Sequence, residues 1–129
     1  MISIIDDDES VRLATAGLAR SLGFIATAFE SAEDFLRSSH LENTSCLICD
    51  IQMPGMTGIE LQDHLIANGY QIPTILITAF PEGRVRKRAL ETGVIGFFGK
   101  PFDSQAMIRC IDAALGRPST SNRENIEYR

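Results

Sequence analysis

Cysteine and histidine are both scarce in this chain, and their scarcity removes disulfide and metal-thiolate classes of function. Three cysteines, Cys46, Cys49 and Cys110, among 129 residues are too few for a disulfide framework. Cys46 and Cys49 have the spacing of a redox or zinc half-motif. They fall, however, in an apolar run that reads as a strand, where positions three apart point to opposite faces. No second CxxC follows, and the only histidines, His40 and His64, stand elsewhere. The thiols are therefore read as small buried packing residues. No apolar stretch approaches the ~20 residues of a membrane span, and the N-terminus enters a strand with no signal-peptide pattern. A formal charge of −5 argues against a general nucleic-acid binder. The expectation is a cytoplasmic globular protein with no membrane partner. Hydrophobic content of 44% and charged content of 22% suit that class. The length fits one domain that buries roughly two-thirds of its unfolded surface.

What the chain does have is acid at the ends of apolar runs. Cys46-Leu47-Ile48-Cys49 leads into Asp50, and Ile51-Gln52-Met53-Pro54-Gly55 follows as turn text. Ile2-Ser3-Ile4-Ile5 runs in the same way into Asp6-Asp7-Asp8. A carboxylate where a buried strand surfaces into a loop is poised for chemistry. Two such strands suggest one magnesium-sized oxygen site at a single sheet edge.

Short apolar runs alternate with amphipathic ones along the chain. Strands are expected at Ile2 to Ile5, Phe24 to Phe29, Ser45 to Cys49, Pro73 to Ile77 and Val94 to Phe98. Glu9 to Ser21 has helical spacing through Val11, Ala14, Leu18 and Leu22, and Gly23 stops it. Ser31 caps a second helix, with Asp34 three residues on as a variant capping box. Thr57 to Ala67 is a third. A fourth begins in the turn of Pro81 and reaches Glu91 or Thr92. Asp103 to Leu115 is the last, with Asp103 or Ser104 near its N-cap. Five strand–helix repeats imply an α/β fold, a doubly wound parallel sheet with helices on both faces. Ligands of such sheets bind beyond the carboxyl ends of the strands, at the point where the strand order reverses, and both acid clusters lie at strand carboxyl ends. Residues 1–116 read as the domain, and Arg117 to Arg129, polar and aperiodic, as a flexible tail or the start of a linker.

The acidic triplet in IIDDDES, the turn in CDIQMPGMTG, Thr78 in LITAF and Lys100-Pro101-Phe102 occur in that order on those strand ends. On these residues the chain resembles the receiver domains of two-component response regulators, most of all those with a C-terminal helix-turn-helix. The resemblance covers residues 1 to about 116. It implies a flavodoxin-like five-stranded sheet of order 2-1-3-4-5. It also implies a phosphoacceptor switch rather than a metabolic enzyme, with Asp50 taking a phosphoryl group from a sensor histidine kinase. Mg2+ would be held by Asp7 and Asp50, by the Gln52 backbone carbonyl, and by Asp6 mainly through water. Asp8 is read as a solvated or helix-entry residue.

The same resemblance gives Lys100 the task of neutralising phosphoryl oxygens, and its bond to Pro101 a cis form. Thr78 would bond a phosphoryl oxygen once one arrives. Phe97 would then rotate inward into the space vacated. Taken alone, a threonine and a phenylalanine on strands are ordinary pleated-surface residues.

The output face would be the fourth helix, the fifth strand and the last helix, which is also the face through which a homodimer would form. Arg84, Arg86, Lys87 and Arg88 form a basic patch there, read either as a solvated face or as a dock for an acidic partner. Direct nucleic-acid contact by this domain is not expected. Phe80 departs from the small or polar residue common at its position, and its bulk suggests slower access of water to the phosphate. Gly96 and Gly99 are expected to loosen the fifth strand. Two rivals stand beside the switch. One is a Mg-dependent hydrolase with an aspartate nucleophile, which needs a second acid two residues on, where this chain has Gln52. The other is a degenerate receiver that acts as a constitutive binding module, against which the intact Asp6, Asp7, Asp50, Thr78 and Lys100 count.

Overall fold

Strand residues alternate between two apolar cores, and this alternation sets the architecture. The computed structural model describes residues 1–116 and, as backbone, the pair Glu127–Tyr128. Its strands are β1 (Ile2–Ile5), β2 (Ala26–Phe29), β3 (Cys46–Asp50), β4 (Thr74–Thr78), β5 (Gly96–Gly99) and β6 (Glu127–Tyr128). Its helices are α1 (Glu9–Ser21), α2 (Ala32–Arg37), α3 (Gly58–Ala67), α4 (Arg84–Glu91) and α5 (Ser104–Ala114), with a 3-10 turn at Leu41–Asn43. Ile2, Ile4, Cys46, Ile48, Ile75, Ile77 and Phe98 face α1 and α5, whose Ala16, Ala19, Met107, Cys110 and Ile111 complete that core. Ile5, Leu47, Cys49, Leu76 and Phe97 face the other way, onto Phe35 of α2, Leu61 and Leu65 of α3 and Ala89 of α4. Cys46 and Cys49 thus lie in opposite cores, and all three cysteines are buried and outside any disulfide among the described residues. Because β1, β3 and β4 are buried along their whole length, they read as continuous apolar runs.

The strands are parallel in the order β2-β1-β3-β4-β5-β6. The first five keep the expected 2-1-3-4-5 arrangement. The two-residue β6 was not expected. It pairs its backbone with the open edge of β5, Gly96 against Glu127 and Phe97 against Tyr128, a contact that needs no side-chain pattern to announce it. The rest of the expected tail lies outside the described residues. From β1 the chain winds out to β2 and returns past β1 to β3, so the order reverses between β1 and β3. Register there sets Ile5 against Cys49, and the residues that follow, Asp6 and Asp50, emerge side by side. Among the described residues no helix is long and apolar enough to cross a membrane.

Boundaries moved where backbone pairing outweighs side-chain pattern. β2 begins at Ala26 rather than Phe24, and β5 runs Gly96–Gly99 rather than Val94 to Phe98. Pro81 does not open the fourth helix. It sits in the preceding loop, and α4 starts at Arg84 behind Gly83, whose φ of 74° carries the chain into the helix. Ser31 caps α2 by accepting the Asp34 N–H, but the reciprocal capping box belongs to α3, where Thr57 and Glu60 each accept the other's backbone N–H. Gly96 faces α5 closely. A side chain there would run into Cys110 Sγ, so the glycine lets α5 pack close on β5.

Candidate functional site

Four charged side chains converge where β1, β3 and β5 end. Asp6 and Asp50 are buried, at 0% and 2% exposure, while Asp7 is exposed. One carboxylate oxygen from each of the three lies within 4.8 Å of the others. Lys100 reaches in from the end of β5, its Nζ 3.0 Å from Asp6 Oδ2 and 3.3 Å from Asp50 Oδ1. The Lys100–Pro101 bond is cis. Local backbone fixes the acids. The Asp8 N–H donates to Asp6 Oδ1 at 2.9 Å, and Arg12 Nη1 donates to the Asp6 carbonyl at 2.8 Å. Asp8 itself caps α1, accepting the N–H groups of Ser10 and Val11, which is the helix-entry role expected of it.

The charges do not balance. Burial, reinforced by the neighbouring Asp6 charge and opposed by Lys100, pushes Asp50 up to about 6 from its ordinary 3.8. Asp6 is raised as well, again mainly by burial, with the Asp8 N–H and Lys100 pulling against it. Burial alone would lower Lys100, but its bond to Asp6 and the two carboxylate charges outweigh that and leave it raised. Asp6 Oδ2 and Asp50 Oδ1 are buried and within ion-pair range of the ammonium, yet neither makes an aligned hydrogen bond. Three carboxylates gathered around one point are the donor set of a hard cation, and an all-oxygen set of this size suits Mg2+.

Thr78 ends β4, fully buried. Its carbonyl accepts the Lys100 N–H at 2.8 Å, while its hydroxyl donates to Gln52 Oε1 at 2.6 Å and accepts the Phe80 N–H at 3.0 Å. Phe80 is 66% exposed. Phe97 lies on β5 behind Thr78 in the neighbouring strand. Its ring is fully buried, with Arg86 Cζ 5.6 Å from its centroid. The basic patch is divided. Arg86 covers Phe97 and Arg88 pairs with Asp63 of α3, whereas Arg84 and Lys87 face solvent.

Sequence reasoning missed three contacts around this site: the Gln52 side chain on Thr78, Arg12 on the Asp6 carbonyl, and Glu33 of α2 accepting the Met56 N–H at 2.9 Å. The first had a signal, because Gln52 follows Asp50 by two and shares its side of the chain. The other two join residues whose spacing announces nothing.

Comparison with known proteins agrees with this geometry. The family model described as the response regulator receiver domain matches residues 2–112. The response regulator protein TodT of Pseudomonas putida is 37% identical over 115 residues, 89% of this chain and 51% of that one. The transcriptional regulatory protein FixJ of Azorhizobium caulinodans is 34% identical over 95% of this chain and 58% of its own length. The chain thus spans about half the length of the curated relatives it matches. Among solved structures, a receiver protein from Burkholderia phymatum superposes with a TM-score of 0.77 at 37% identity, covering 92% of this chain and 97% of that one. The response regulator StyR gives 0.81 at 41% identity, over 89% of this chain and 58% of its own. Sheet order, strand-end acids and a match that runs nearly from end to end agree, and the chain belongs to the response regulator receiver family.

Proposed function

We propose that this chain is a signalling switch in which Asp50 accepts a phosphoryl group from a sensor histidine kinase. The observation that carries the reading is the Lys100 ammonium held between Asp6 and Asp50, beside three carboxylates gathered at one sheet edge. An Asp50 carboxylate oxygen attacks phosphorus, and the bond from phosphorus to the donor's imidazole nitrogen breaks. The imidazole leaves with the electron pair and a proton is restored to it. Reset is attack by water on the same phosphorus, which returns the Asp50 carboxylate and releases inorganic phosphate. Lys100 holds the negative charge that gathers on the phosphoryl oxygens. Asp6, Asp7, Asp50 and the Gln52 backbone carbonyl are the proposed Mg2+ ligands, Asp6 mainly through water. The bound ion supplies charge neutralisation at the phosphoryl oxygens. Thr78 and Phe97 form the proposed relay to the face of α4, β5 and α5, where an output partner or a second copy docks.

Residues 1–116 form the proposed receiver. The half-length match to relatives titled response regulator and transcriptional regulatory protein supports residues 117–129 leading toward an output domain. Three buried thiols outside any disulfide fit a reducing compartment, so the proposed location is the cytoplasm. A hydrolase is disfavoured because the position for its second acid holds Gln52, whose side chain is bonded to Thr78.

The test is intact mass after incubation with a small acyl phosphate and Mg2+, with Asp50→Ala as control. One magnesium-dependent phosphoryl adduct, absent from the variant, is the expected result. A folded, magnesium-binding protein that forms no adduct would instead be a constitutive binding module.

A further inference from the structure

The hydroxyl that would answer a phosphoryl group on Asp50 is already engaged. Thr78 Oγ1 donates to Gln52 Oε1 at 2.6 Å and accepts the Phe80 N–H at 3.0 Å. A hydroxyl has one proton to give, so its donor capacity is spent at rest. Thr78 is fully buried, which keeps water from substituting freely for either partner. Gln52 leaves β3 two residues after Asp50, and Thr78 ends the neighbouring β4, so the bond spans two strand ends beside the acids.

We propose that the Gln52 carboxamide is a positioning residue that latches Thr78 at rest and competes with a phosphorylated Asp50 for its hydroxyl proton. This rests on the reading of Asp50 as the phosphoacceptor. Switching then requires exchange of one hydrogen-bond acceptor for another: the carboxamide oxygen lets go as a phosphoryl oxygen takes the proton. Glutamine suits the task. It carries a neutral acceptor on a flexible stem, adding no charge to a cluster that already has too much. The latch also holds the loop toward α4, because the Phe80 N–H is bonded to the same oxygen. Its cost is affinity. A phosphoryl group sees only the fraction of chains whose Thr78 has been released, and its apparent binding is weakened by that fraction.

The test is titration with beryllofluoride, a non-covalent phosphoryl mimic, in the presence of Mg2+, followed by backbone amide NMR. Gln52→Met keeps the side-chain length and removes the acceptor. Release of one neutral hydrogen bond should tighten mimic binding about fivefold relative to the parent. The gain should persist when Thr78→Ser supplies the hydroxyl, and vanish in Thr78→Val, which has none. An unchanged affinity in Gln52→Met, or an equal gain in the Thr78→Val background, overturns the latch. Amide dispersion without ligand checks folding first, and Gln52→Ala serves if the methionine variant does not fold. Loss of the fold in both variants would make Gln52 a structural residue and overturn the latch as well. Failure of the underlying reading looks different, because the unaltered protein would then neither bind the mimic nor form an Asp50 adduct.

Discussion

Two buried carboxylates share one ammonium in this site, and the uncompensated charge has a pH signature. Asp50 binds its proton more tightly folded than unfolded, since burial raises it from 3.8 to about 6. A raised carboxylate contributes stability while protonated, below its unfolded value, and that contribution is lost as pH rises through the folded value. The loss therefore falls between about pH 4 and pH 6, and a shift of that size corresponds to about 3 kcal/mol. Asp50→Asn should make the magnesium-free protein more stable than the parent above pH 6 by about that amount. The gap should close below pH 4, as urea unfolding at several pH values would show. A gap independent of pH would mean that the charge is not its source. At this scale the sequence was informative wherever a functional group ends a strand beside a turn: Asp6, Asp50, Thr78 and Lys100 all do. It marked the position of Gln52, two residues past Asp50, but not its side-chain bond to Thr78, which depends on where one flexible side chain points.

At the scale of elements, the site depends on how closely α3 approaches the end of β3. A Cβ on Gly58 would lie 2.5 Å from the Asp50 carbonyl oxygen and 3.1 Å from Ile51 Cα, both backbone atoms that cannot swing aside. Gly58→Ala should destabilise the protein by about 3 kcal/mol and slow adduct formation, since the strand that must yield carries the phosphoacceptor. Urea unfolding and the mass assay read the two effects separately. The turn between β3 and α3 has its own tether, Glu33 of α2 on the Met56 N–H, and that bond holds the Glu33 carboxyl below its usual range. Glu33→Ala should speed hydrogen exchange at the Met56 amide and leave the α3 amides protected. Unchanged exchange at Met56 would show that the loop keeps its shape without help. Apolar periodicity located the helices and strands of the receiver fold, but it placed their ends less well. Ends depend on caps and register, as at Gly83, where a glycine opens α4 although Pro81 carries the usual signal.

Across the whole molecule, one sheet joins two cores, so strain at its edge is shared by the fold. Every strand from β1 to β5 has side chains in one core or both, and the acids emerge where β1 and β3 separate. A cation that binds there grips the ends of two central strands rather than a peripheral loop. Binding to the folded state alone adds about 2.7 kcal/mol at a hundred times the dissociation constant. In a domain of this size that corresponds to a rise of about 10 °C in Tm. Mg2+ should produce such a rise at pH 7, and a chelator should reverse it. The effect should shrink below pH 6, where protons compete for Asp50, and be smaller in Asp50→Asn, which has one carboxylate fewer to offer. Thermal unfolding monitored by far-UV circular dichroism measures all three. An equal shift in the parent and the Asn variant would place the ion away from β3, and the three-carboxylate site would then lose its claim to the metal.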